Sequence, residues 1–172
     1  MTLILTDRPI DPEAHLRAFR SSHAAAGAVA SFVGLCRANS QAGPVLALEL
    51  EVYLGFTDKI VAEKLLALES SPGIDGLSVV HRYGQILPGE VIVVVAVAGP
   101  HRRAAIALMD RTMDWLKVEA PFWKREVTAA GGQWIEPSAG DRADAARWPE
   151  NDAPSDLHPM TARPRSDRSM TS

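Results

Sequence analysis

His101, Arg102 and Arg103 open a stretch that runs through Lys117 to Lys124, Arg125 and Glu126: "HRRAAIALMDRTMDWLKVEAPFWKRE". Cations at a helix start oppose the helix dipole, so Arg102 and Arg103 do nothing for local stability. Free backbone N–H groups and guanidinium forks at such a start suit an anion. Solvated helix ends are the plainer account of the same charges. Lys117 lies sixteen residues beyond His101, roughly 24 Å along a helix axis. Within one subunit the two cannot meet one small ligand unless the helix starts late or bends. A long ligand, or a second subunit lending its own helix end, are the other routes. Lys117 could instead pair with Asp114 at i,i+3 spacing.

Lys124 shares a strand face with Phe122 and Glu126, while Arg125 points the other way. A lysine against aromatic surface and near other cations loses hydration and holds its proton less tightly. Such an amine can serve as acid, base or nucleophile at neutral pH. The plainer alternative makes Phe122 and Trp123 core residues and their charged neighbours the rim. Cys36 beside Arg37 could be an activated thiol, although a lone cysteine closing an apolar strand is more commonly just buried. Neither Cys/His metal spacing nor a glycine-rich phosphate loop is present, so no metal and no resident cofactor is expected. Ser31 and Ser78 lack the surroundings of a nucleophile elbow.

The elements that must carry these groups follow from periodicity. "TLILT" (2–6) is a short strand; Asp11 caps a helix with Pro12 at its first position and Leu16 and Phe19 on its apolar side. "GAVASFVG" (27–34) is expected to be a strand buried on both faces. "VLALELEVY" (45–53) alternates, with Leu46, Leu48, Leu50 and Val52 on one side and Glu49 and Glu51 on the other. Thr57 starts a helix in which Ile60, Val61, Lys64, Leu65 and Leu68 recur at helical spacing. "GLSVVHRYG" and "EVIVVVAVAG" are strands joined through Pro88-Gly89. The charged stretch is the longest helix, striped by Ala105, Leu108, Met109, Thr112 and Leu116 and ended by Pro121. "FWKREVT" and "QWIE" close a final hairpin across residues 129–132. The order β-α-β-β-α-β-β-α-β-β mixes hairpins with crossovers, which predicts an α+β fold with a mixed or antiparallel sheet. From Pro149 the chain is poor in apolar residues and rich in Pro, Ser, Asp and Arg, so 149–172 is expected to be a disordered tail.

At 172 residues, with 47% hydrophobic and 23% charged, the chain can bury one core without metal or disulfide. A net charge of −3 argues against nucleic acid as the main partner and leaves room for a local anion site. The single cysteine fits a reducing compartment. "MTLILTDRPI" lacks a basic signal-peptide region, and no segment has the roughly 20 apolar residues of a membrane span. A cytoplasmic protein is expected.

"GAVASFVGLCR", "LELEVYLGFTDK", "VVHRYGQILPGEVIVVVAV", the charged stretch itself and the closing "AARW" occur in the order and spacing of one known family. Over residues 1–148 the chain resembles the large, catalytic subunit of molybdopterin synthase. That resemblance implies an α/β hammerhead-type fold and a homodimer core. A small ubiquitin-like sulfur-carrier subunit at each end would complete a heterotetramer. The carrier's C-terminal Gly-Gly thiocarboxylate would give two sulfurs to cyclic pyranopterin monophosphate, forming the molybdopterin dithiolene. It further implies substrate-binding roles for Arg37, His101, Arg102, Lys117, Lys124, Arg125 and Glu126, with Phe32 near the pocket and Lys117 and Lys124 catalytic. Leu35, where the family often has a basic residue, and Cys36 depart from its pattern. Two rival readings are a non-catalytic adaptor for a ubiquitin-fold partner and an acyl hydrolase using Cys36 and His101.

Overall fold

Asp11 caps the first helix as its position predicts, its carboxylate accepting from the Ala14 N–H at 2.9 Å. The computed structural model describes residues 1–41 and 43–148; the expected tail, 149–172, lies outside the described residues. The elements are β1 (Thr2–Thr6), α1 (Pro12–Ser22), β2 (Ala28–Leu35), β3 (Asn39–Ser40), β4 (Gly43–Glu51), α2 (Thr57–Glu69) and β5 (Gly76–Arg82), then β6 (Gly84–Ile86), β7 (Val91–Gly99), α3 (Arg102–Val118), β8 (Trp123–Thr128), β9 (Gly131–Ile135) and α4 (Ala139–Ala145). The short β3 and β6 and the helix α4 were not expected from the sequence.

Two sheets form. One runs β1-β5-β7-β2, with β1 parallel to β5 and the other pairs antiparallel. In the other, antiparallel throughout, β4 has β8 and then β9 on one side and β3 and β6 on the other. Alternation along β7 splits the first sheet's residues between two layers. Ala96 and Ala98 face α1 through Phe19, while Val93, Val95 and Val97 meet α2 and α3 through Val61, Leu65, Leu108 and Leu116. A third cluster, built on Leu48, Leu50, Ile86 and Cys36, lies under the second sheet. The stripe expected of α3 is therefore its buried side.

Two expectations require correction. β2 is not buried on both faces in the single chain: Val29, Phe32, Val33 and Leu35 are exposed. It is an edge strand, paired only with β7, and α3 covers just part of one face. In β4 the alternation holds from Leu48 onward but fails at Leu46, which is 56% exposed while Val45 and Ala47 are buried. A register shift between Val45 and Ala47 opposite β8 inserts an extra residue and turns Leu46 outward.

Candidate active site

His101 occupies the N-cap of α3 in extended conformation, with no side-chain cap bond and no acidic residue in the first turn. The helix start thus keeps free N–H groups beside exposed His101, Arg102 and Arg103. Arg102 stands at the rim of a cavity of about 270 Å³ between α3 and β2, floored by Ala30, Ala105 and Met109. Phe32 and Arg37 do not line this cavity; Phe32 is exposed on β2 and Arg37 is exposed just beyond the strand's end.

Lys117 lies in the last turn of the same helix, so one subunit holds His101 and Lys117 at opposite ends of a rigid element. Its side chain is 53% exposed and its amine donates to Asp141 Oδ1 at 2.8 Å. The alternative pair with Asp114 does not form. Asp114 instead accepts from Arg147 Nη2 at 2.9 Å and Trp148 Nε1 at 2.7 Å, leaving Lys117 to turn toward α4.

Lys124 enters the same neighbourhood from β8, where it pairs with Leu50 and Ile135. Burial lowers its pKa from the usual lysine value, the Lys117 charge lowers it further, and Asp141 opposes both. Phe122 stacks on His81 with ring centroids 4.1 Å apart and planes 14° off parallel. Burial pulls the His81 imidazole down to about 4; its bond to the Arg82 carbonyl works against this, and the Lys124 charge adds to it. Neutral His81 and Phe122 form the dry side of the lysine site.

Arg125 does not join the lysines. It points to the opposite face, where its guanidinium grips Glu49 across the sheet, with Nε at 2.8 Å, and lies over the Trp134 ring. Glu126 returns to the Lys124 side but two residues along, and its charge helps raise the Cys36 pKa. That thiol is buried against the carbonyls of Arg37 and Ile86, and desolvation is the main cause of its raised pKa. A thiol held protonated in this way is a poor nucleophile, which removes the basis for the hydrolase reading. No group of His, Cys, Asp and Glu among the described residues could hold a metal.

Sequence reasoning missed His81, Asp141 and the helix that carries Asp141. "VVHRYG" was legible as a strand, but not as the wall beside a lysine three elements away. Ser138 and Asp141 do carry a signal, the S-x-x-D spacing of a capping box, and both halves of the box are formed. The alanines and Gly140 between its ends gave no apolar stripe to read.

The MoaE protein family matches residues 5–119. A molybdopterin synthase catalytic subunit from Caulobacter vibrioides is 47% identical over 148 residues, 86% of this chain and 97% of that one. Among solved structures, a molybdopterin biosynthesis MoaE protein from Burkholderia ambifaria superimposes with a TM-score of 0.71 at 39% identity, covering 86% of this chain and 97% of its own. Molybdopterin synthase from Staphylococcus aureus does so at 0.68 and 27% identity, covering 77% and 95%.

Proposed function

From a chain that belongs to the MoaE family we propose a division of labour among its residues, as the catalytic subunit of molybdopterin synthase. The enzyme moves sulfur from the thiocarboxylate of a small ubiquitin-like carrier to cyclic pyranopterin monophosphate, building the dithiolene of molybdopterin. Both reactants are anions, and the cations stand at the two ends of α3. Arg37, His101 and Arg102 hold the phosphate and pterin, with Phe32 at the margin. Lys117, the more exposed amine, meets the carrier's terminus. Lys124, recessed and with a weakened hold on its proton, donates to the oxyanion that develops when water attacks the acyl carbon of the carrier–pterin thioester. The C–S bond of that thioester then breaks, leaving sulfur on the pterin and a carboxylate on the carrier. The observation that carries this reading is that Lys117, bound to Asp141 at 2.8 Å, and the recessed Lys124 share one neighbourhood, in which the Lys117 and Asp141 charges act on the Lys124 amine in opposite directions.

Since α3 separates His101 and Arg102 from Lys117, each complete site takes its anion-binding end from the neighbouring subunit of the homodimer. The carriers dock at the outer ends of this dimer, giving the heterotetramer. No described helix is long and apolar enough to cross a membrane, and the buried free thiol of Cys36 suits a reducing compartment, the cytoplasm. Product formation from a thiocarboxylated carrier and cyclic pyranopterin monophosphate is the direct test. Absence of dithiolene product would return the protein to the adaptor reading.

A further inference from the structure

We infer that Asp141 is a positioning residue for the Lys117–Lys124 pair, delivered by α4, a strap fastened to α3 at both ends. The inference rests on the reading of those two lysines as reacting groups.

The two oxygens of Asp141 have separate partners. Oδ2 accepts from the Ser138 N–H at 3.0 Å and from Ser138 Oγ at 2.7 Å, closing the N-terminal cap of α4. Oδ1 accepts from Lys117 Nζ at 2.8 Å. The lysine amine is thereby indexed to a helix cap instead of to a freely rotating side chain. Residues of α4 are not buried, and a helix of 7 residues does not persist on its own. Polar fastenings hold it. Beyond its far end, Arg147 donates to Asp110 at 2.8 Å and to Asp114, which also takes the Trp148 indole N–H. Asp114 is a largely buried carboxylate on α3, a group that is costly to leave without donors. Each end of the strap therefore answers an unmet charge on α3: Asp114 at one, Lys117 at the other.

Three elements besides α4 bring charged or titratable groups to this place: Lys117 from α3, Lys124 from β8 and His81 from β5. Asp141 is the anion that acts on both lysines. Lys117 and Ser138 together hold its carboxyl far below the usual carboxylate range, so it stays charged wherever the enzyme works. Its charge offsets part of the repulsion that Lys117 exerts on Lys124. Asp141 accordingly fixes where the Lys117 amine sits and tempers how readily Lys124 gives up its proton.

The test uses the full-length protein with its carrier and four substitutions: Asp141→Asn, Asp141→Glu, Ser138→Ala and Lys117→Ala. Lysine 13Cε resonances are titrated by NMR; Lys59, Lys64, Lys117 and Lys124 are the chain's lysines, so Lys124 is assigned with one Lys124→Arg sample. The Lys124 midpoint should move down in Asp141→Asn and up in Lys117→Ala. It should stay in place in Ser138→Ala, which weakens the cap but keeps the carboxylate. Turnover of Asp141→Asn should fall roughly ten- to a hundredfold with little change in the pterin KM, as for a misplaced reacting group. Asp141→Glu should recover part of that loss. An unmoved Lys124 midpoint in Asp141→Asn, with Lys117→Ala inactive, overturns the positioning role alone. So does a Ser138→Ala protein that matches Asp141→Asn in both readouts, since Asp141 would then be a cap and nothing more. Full turnover in Lys117→Ala removes the two-lysine reading, and the role of Asp141 with it.

Discussion

At the scale of single residues, the proposed site separates side chains that act from side chains that hold. Lys117 contributes nothing to the apolar stripe of α3 and reaches its partner from a half-exposed position. Lys117→Ala should therefore abolish most sulfur transfer while circular dichroism and carrier binding stay those of the parent. Lost helicity in that variant would move Lys117 from chemistry to folding. Arg102 stands at a cavity rim and makes an anion contact in the proposed complex, so Arg102→Ala should raise the pterin KM by roughly one to two decades more than it lowers kcat. His81 makes a prediction of another kind. The folded protein holds its pKa near 4, whereas an unfolded chain returns it to 6.5. Between those values the unfolded state takes up a proton that the folded state refuses, so stability falls as pH drops through the window and levels off below it. The full contribution is at most about 3 kcal/mol. Urea unfolding of the parent and of His81→Phe across that range should give the parent the steeper loss. These roles were only partly legible beforehand. The types and order of Arg37, His101, Arg102, Lys117 and Lys124 are visible in the chain, and strand alternation already turns Arg125 to the other face; what the chain does not announce is that Glu49 and Trp134 are its partners there.

At the scale of elements, periodicity was a good guide wherever a segment had one buried side. α1, α2, α3 and the long strands fall where the apolar spacing puts them, because burial on one face leaves a repeat of 3.6 or 2 in the sequence. It failed where local geometry broke the repeat. Nothing in "VLALEL" announces the bulge that exposes Leu46, since a register shift depends on the partner strand. α4 has no apolar repeat at all, being held by ion pairs to residues far earlier in the chain. The start of α3 depends on a different device. A Cβ on Gly99 would come within 2.5 Å of the Gly73 carbonyl oxygen, and one on Gly27 within 2.2 Å of the Pro100 carbonyl oxygen. These close backbone approaches sit directly before His101. Gly99→Ala and Gly27→Ala should each destabilise the protein by about 1–3 kcal/mol, since backbone must shift to admit the methyl group. Because that shift displaces the helix start, the pterin KM should rise as well. Denaturant melts together with steady-state kinetics check both parts.

At the scale of the whole molecule, Arg147 and Trp148, at the end of the described residues, fasten the strap to Asp114. We propose residues 1–148 as the folded unit. Truncation after Trp148 should leave melting temperature and sulfur transfer nearly unchanged, whereas truncation after Ala145 should lower both. A loss of carrier affinity in the longer truncate that shrinks with added salt would instead make 149–172 a docking arm. The long α3, with a different half of the proposed chemistry at each end, also bears on genetics. If each site draws one half from either subunit, two defective alleles can complement. A Lys117→Ala subunit still lends a sound His101 and Arg102; a His101→Ala, Arg102→Ala subunit still offers a sound Lys117. Their hybrid has one site with both lesions and one with neither. Random pairing of equal amounts makes about half the dimers hybrids, so two inactive proteins, mixed and allowed to exchange, should recover about a quarter of parental activity. Sites confined to single subunits would give no recovery at any ratio, and in a cell the two alleles together would then fail as each does alone.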